Sequence, residues 1–136
     1  MVELNLSFHH FGLAVRQPAH AITFLSSLGY EMDQPVYDPE QNVHLMMGSH
    51  LTHPAVEIIY PGNGFGPVDH LVQRHETGII YHPCYETLDL ARTLEEMARS
   101  GVRADCVVAP KPALLFGGRR VSFYRVKGMG LIEILE

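Results

Sequence analysis

His10-Phe11-Gly12-Leu13-Ala14-Val15 ends an apolar run over residues 6–15 in which both alternating faces are largely hydrophobic. Alternation with apolar groups on both faces describes a strand covered on both sides. The reading that decides the fold is how this stretch recurs. His10 precedes Gly29 by 19 positions, and His82 precedes Gly101 by 19. A shift of 72 lays His10 on His82, Ala19 on Ala91 and Gly29 on Gly101. A period of that kind marks two copies of one supersecondary unit.

Working outward, Pro18 stands where a first helical turn tolerates proline, Ala21, Ile22, Leu25 and Leu28 recur at helical spacing, and Gly29 ends the segment. Strand-like runs follow at residues 36–37, 43–47 and 55–60. The second half repeats the order. A strand is predicted over 79–86, a helix over 89–100 with Leu90, Ala91, Leu94, Met97 and Ala98 inward, and strands over 105–109, 120–126 and 130–135. The pattern is α+β, with modules at about 1–60 and 78–136 and a linker with a short helix over 61–77, in a single domain of 136 residues. The linker's spaced glycines, Gly62, Gly64 and Gly66, lack the Lys-Ser or Lys-Thr of a phosphate-binding loop.

Composition narrows the function. A chain with 46% hydrophobic and 18% charged residues builds one globular core. No apolar run is long enough to span a bilayer, and Met1-Val2-Glu3-Leu4-Asn5 does not start like a signal peptide, so a soluble cytoplasmic protein without a membrane partner is expected. Cys84 and Cys106 are too few for a disulfide scaffold or a zinc-thiolate site and are expected to be reduced, core or near-core residues. A net charge of -5 argues against a nucleic-acid partner. Six of the ten basic side chains, Arg103, Lys111, Arg119, Arg120, Arg125 and Lys127, cluster late in the chain against Asp105 alone. That segment suits an anionic small molecule, or is a solvated surface.

Each half also carries a glutamate inside an apolar strand, Val56-Glu57-Ile58 and Ile132-Glu133-Ile134. A buried carboxylate is costly unless it is paired, protonated or metal-bound. His10, Glu57, His82 and Glu133 thus form a matched set of two nitrogen and two oxygen donors suited to Mn, Co, Ni, Fe or Zn. The other arrangement open to them is pairing of the glutamates with Arg119, Arg120 or Arg125 and hydrogen-bonded core histidines. His9 is expected to pack under the helix; His20, His50, His53, His70 and His75 are expected to be solvated. His44, on the Met46 face of its strand, is either a proton carrier in the site or an exposed strand residue.

With these residues in hand, the chain resembles the vicinal oxygen chelate superfamily of glyoxalase I, extradiol dioxygenases, fosfomycin thiol transferases and methylmalonyl-CoA epimerase. The carriers are His10 to Val15, Val56-Glu57-Ile58-Ile59-Tyr60-Pro61, Tyr81-His82-Pro83-Cys84-Tyr85-Glu86 and Leu131-Ile132-Glu133-Ile134. Pro39-Glu40-Gln41-Asn42-Val43, the stretch from Arg74 to Ile79 and Phe116-Gly117-Gly118-Arg119-Arg120-Val121-Ser122-Phe123 look most like the epimerases. The resemblance implies two β-α-β-β-β modules forming one incomplete, mixed β-barrel cup with helices outside. It also implies a divalent metal on His10, Glu57, His82 and Glu133, and a homodimer. The implied activity is a metal-dependent epimerase or isomerase that removes a proton α to a carbonyl through a metal-bound enolate, on a small-molecule acyl thioester such as methylmalonyl-CoA. Glu133 and His44, or Glu40 in a slipped register, are the implied proton carriers, and Arg119 and Arg120 the substrate contacts. A glyoxalase I-like lyase acting on a hemithioacetal, and a non-catalytic binding or resistance protein of the same fold, are the alternatives. Glutamate at position 57, where such epimerases often carry glutamine, is shared with bacterial glyoxalase I.

Overall fold

The computed structural model describes residues 3–136. Its strands are β1 (Ser7–Ala14), β2 (Glu31–Met32), β3 (Val36–Asp38), β4 (Val43–Ser49), β5 (Ala55–Pro61), β6 (Ile79–Glu86), β7 (Ala104–Pro112), β8 (Arg120–Val126) and β9 (Gly130–Leu135). Its helices are α1 (Ala19–Ser27), α2 (Pro67–Arg74) and α3 (Leu90–Arg99), with a 3-10 turn at Leu114–Phe116. The chain divides into two compact units, His10–Tyr81 and the residues before His10 together with His82–Glu136.

In the His10–Tyr81 unit the strand order is β2-β4-β5-β1, with β3 also on β4. β1 and β5 run parallel, and β4 pairs antiparallel with β5. Cross-strand partners share a face, so His10, Gly12 and Ala14 lie with Ala55, Glu57 and Ile59, and with Val43, Leu45 and Met47. The opposite face carries Met46, Val56 and Ile58, which pack with Leu25 of α1. Ala14, Val43 and Ile59 pack instead with Val68 and Val72 of α2, which therefore covers one end of the face that bears Glu57.

The expected module differs in one detail. β2 and β3 are two pieces of one edge strand, both antiparallel to β4, and the register slips by one residue between Met32↔Gly48 and Val36↔Leu45. Pro35, which has no N–H to donate, stands in the break.

The C-terminal end of α1 is tied down by a histidine. His50 Nδ1 accepts from the backbone N–H groups of Thr52 and His53, both at 3.0 Å. The proton therefore sits on Nε2, which donates to the Leu28 carbonyl at 2.8 Å. His53 stacks on the His50 ring at 4.0 Å, and Tyr30 donates to the Pro54 carbonyl at 2.5 Å; burial pushes the Tyr30 phenol up. Gly29 has φ +99° beneath this ring, and a Cβ there would lie 3.1 Å from His50 Nε2. His50 is thus a structural clamp rather than a solvated side chain.

In the other unit the order is β6-β9-β8-β7, with β6 parallel to β9. Tyr124, Ile132 and Ile134 pack against Met97, Leu90 and Leu94 of α3, while Val121, Leu135 and Cys84 pack on the opposite face with Phe116 and Phe123. α3 starts at Asp89, whose carboxylate accepts from Arg92 N–H at 3.1 Å. Thr93, buried, takes an inward place; the expected inward Ala91 and Ala98 are exposed. Thr93 reaches Thr87 through a 2.8 Å hydroxyl contact. Cys106, expected in or near the core, is exposed on β7, whereas Cys84 is buried. His9 meets the Phe116 ring edge-on at 5.4 Å instead of packing under a helix. No helix among the described residues is long and apolar enough to cross a membrane.

Two substitutions test these local devices. His50→Ala removes an acceptor of two backbone bonds and the donor to Leu28, and urea unfolding is expected to show a loss of about 1–3 kcal/mol. Asp89→Ala removes the α3 cap and costs about 1 kcal/mol in the same measurement.

Candidate metal centre

Glu57 and Glu133 are 6% and 4% exposed, and His10 and His82 0% and 1%. All four are therefore buried groups that ordinarily carry or share charge. The glutamates owe their burial to strand phase. Val56 and Ile58 flank Glu57 and must face the α1 core, which turns Glu57 to the other face; Ile132 and Ile134 do the same to Glu133.

In the His10–Tyr81 unit, His10 Nε2 lies 3.9 Å from Glu57 Oε1. In the other unit, His82 Nδ1 lies 3.9 Å from Glu133 Oε1. Both separations exceed hydrogen-bond reach. Two ligands each about 2 Å from one divalent ion stand roughly 3–4 Å apart, so each pair has the spacing and the nitrogen–oxygen chemistry of two neighbouring ligands. The residues fit such an ion.

The neighbours of the carboxylates are apolar. Met47 pairs directly across from Glu57 on β4, and Phe123 directly across from Glu133 on β8. Phe123 also presents its ring edge to His82 at 5.4 Å, and Cys84 is the β6 partner of Glu133. Such surroundings strengthen any electrostatic interaction at the carboxylates. Sequence reading gave Met47, Phe123 and Cys84 no place beside the carboxylates, because the cross-strand register that sets them there is not written in the alternation of a single strand.

The proposed proton carriers fare differently. His44 pairs with Tyr60, one step out of phase with Glu57, and so lies on the opposite face of the sheet. Its ring stacks on Tyr60 at 4.9 Å and meets Tyr37 at 5.1 Å. That placement removes the geometric basis for His44 as a proton carrier beside Glu57. Glu40 is exposed in the turn after β3, where its N–H donates to Asp38 Oδ1 at 2.9 Å.

Arg119 and Arg120 are exposed and ion-paired. Arg119 Nη2 donates to Glu86 Oε2 at 3.0 Å and Nε to the Glu136 carbonyl at 2.8 Å, while Arg120 Nη2 donates to Glu136 Oε1 at 2.6 Å. Glu86 shares the β6 face of His82 and Cys84, four residues beyond His82, so Arg119 is anchored on the strand that carries that histidine.

The chain is 24% identical over 110 residues to "Methylmalonyl-CoA epimerase, mitochondrial" of Dictyostelium discoideum, covering 79% of this chain and 64% of that one. It is 24% identical over 129 residues to "Ethylmalonyl-CoA/methylmalonyl-CoA epimerase" of Cereibacter sphaeroides, covering 93% and 94%. The crystal structure of methylmalonyl-CoA epimerase from Mycobacterium tuberculosis has the same fold, with a TM-score of 0.77 at 16% identity over 100% of this chain and 91% of that one. The family model described as "Glyoxalase/Bleomycin resistance protein/Dioxygenase superfamily" matches residues 9–123. With buried His and Glu pairs at repeat-related positions of an α+β fold, the chain belongs to the glyoxalase/bleomycin resistance/dioxygenase superfamily, the vicinal oxygen chelate proteins.

Proposed function

We propose that this protein is a metal-dependent isomerase that removes and returns the proton α to the carbonyl of an acyl thioester resembling methylmalonyl-CoA. The observation that carries the reading is the repeated buried pair, His10 with Glu57 and His82 with Glu133, each at 3.9 Å on an otherwise apolar strand face. Its two curated relatives named above are epimerases of such thioesters.

His10, Glu57, His82 and Glu133 would together hold one divalent cation of the Co, Ni, Mn, Zn or Fe type. When bound there, that ion supplies Lewis acidity toward a carbonyl oxygen. The chain's own residues do the rest. Glu133 takes the α-proton on a carboxylate oxygen, in surroundings where Phe123 and Cys84 keep water away. Inversion needs a second carrier on the other side of the reacting carbon. Since His44 lies on the wrong face and Glu40 in an exposed turn, that role falls to Glu57, the repeat-related carboxylate. Arg119, held by Glu86, offers its guanidinium to an anionic part of the substrate.

The same arrangement suits a second reading, a glyoxalase I-like lyase that moves a proton between adjacent carbons of a hemithioacetal. Its support is that β4 turns only Val43, Leu45 and Met47 to the Glu57 face, which leaves the two carboxylates to handle the proton. Solvent-deuterium exchange read by mass spectrometry separates these readings. Exchange into 2-methylmalonyl thioesters supports the first and exchange into hemithioacetals the second. Exchange into neither, with metal bound, leaves a non-catalytic binding protein of this fold.

Metal analysis of purified protein is expected to find about one divalent ion per chain, and His10→Ala to lose it. Glu133→Gln is expected to slow exchange by roughly 10²–10⁴, whereas His44→Phe stays within a few-fold of the parent. Arg119→Ala is expected to raise KM several-fold with kcat little changed, the pattern of lost uniform binding.

A further inference from the structure

We propose that Arg125 is a specificity-determining residue beside Glu133, selecting acyl thioesters that carry a second carboxylate on the reacting α-carbon. The inference rests on the acyl-thioester reading above and deepens it.

Strand register places the residue. β8 and β9 pair without a slip from Val121↔Leu135 to Val126↔Gly130. Phe123 therefore stands directly across from Glu133, and Arg125 across from Leu131, two residues further along on the same face. Diagonal neighbours such as Arg125 and Glu133 lie about 7–8 Å apart, within reach of a long side chain. The face is graded from dry to wet. Val121 and Leu135 are buried with Cys84 at one end, Glu133 and Phe123 occupy the middle, and Arg125 is exposed at the other end. A substrate whose reacting carbon meets Glu133 has an apolar wall on one side and a guanidinium on the other.

The other late cations are engaged or face elsewhere. Arg120 belongs to the alternate set of β8 with Ser122 and Tyr124, and lines a cavity with Leu90, Ala91 and Leu94 of α3. Arg119 is held by Glu86 and the Glu136 carbonyl, and Lys111, across from Val121 at the apolar end, already has a partner. Arg125 has no ion pair or hydrogen bond among the described residues. Asp105, across from it on β7, shares its face without closing an ion pair. An unengaged guanidinium offers parallel N–H donors that fit a carboxylate, and a neutral group of the same shape gains less from them.

Calorimetric titration of the full, metal-loaded chain with methylmalonyl-pantetheine and with its carboxamide analogue tests the proposal without requiring turnover. Arg125→Gln is expected to weaken binding of the carboxylate by roughly 10–100-fold and to leave the carboxamide unchanged, while Arg125→Lys recovers part of the loss. Circular dichroism and metal content are expected to stay as in the parent, since Arg125 is exposed. No loss, or an equal loss on both ligands, overturns the proposal. A loss seen only with coenzyme A thioesters, for carboxylate and carboxamide alike, assigns Arg125 to the carrier's phosphates and overturns it too. Deuterium exchange separates this inference from the reading beneath it. An Arg125→Gln variant that exchanges with its carboxylate preference intact removes Arg125 and leaves the isomerase. A wild type that binds with the expected preference but exchanges nothing keeps Arg125 and removes the isomerase, and a wild type that binds neither ligand overturns both.

Discussion

An ionised carboxylate removed from water must be compensated close by, because the desolvation cost of a lone buried charge is larger than the net stability of a typical domain. Glu57 and Glu133 impose that requirement once in each unit, and the architecture around each sets a histidine on the neighbouring strand, 3.9 Å away. The parallel pairings β1–β5 and β6–β9 bring each histidine-bearing strand beside its glutamate-bearing strand. Parallel neighbours need a long crossover between them, and the helix and intervening strands of each module supply it. Position of the acid, choice of strand pairing and length of the module are therefore one constraint seen at three scales.

The same constraint decides what covers the sheet. Hydrophobic neighbours in sequence turn the glutamates inward only because Val56, Ile58, Ile132 and Ile134 have helices to pack against on the far side. α1 and α3 thus orient the carboxylates without touching them. α2 adds cover at the Ala14, Val43 and Ile59 end, leaving His10 and Glu57 toward the other end of the strands.

Much of this was legible in the residues. β6, β8 and β9 occupy the predicted spans because Gly78, Arg120 and Gly130 mark abrupt changes from turn to alternation. The repeat of His10 and Gly29 in His82 and Gly101 located both helices and the strands that carry the two histidines, since a histidine start and a glycine stop are positions with physical roles. His44 escaped because alternation within one strand cannot say which face meets Glu57. That phase is fixed by the β4–β5 hairpin, whose register pairs Met47, not His44 or Met46, with Glu57. His50 escaped for another reason. It serves backbone groups two, three and 22 residues away, and bonds of that kind leave no periodic trace in a sequence. The exposure of Cys106 and the inward turn of Thr93 likewise follow from tertiary packing, which overrides the simple apolar count.

The broken edge strand has a consequence for how the protein behaves when crowded. A sheet edge with regular, unpaired backbone groups is a template on which further chains can add. In the His10–Tyr81 unit that edge is cut at Pro35 into segments of two and three residues, β2 and β3. In the other unit β7 carries Pro110 and Pro112 and two register irregularities against β8. Both margins are interrupted in this way, so the elements that complete the two modules also break up the regular backbone edge on which further strands would add.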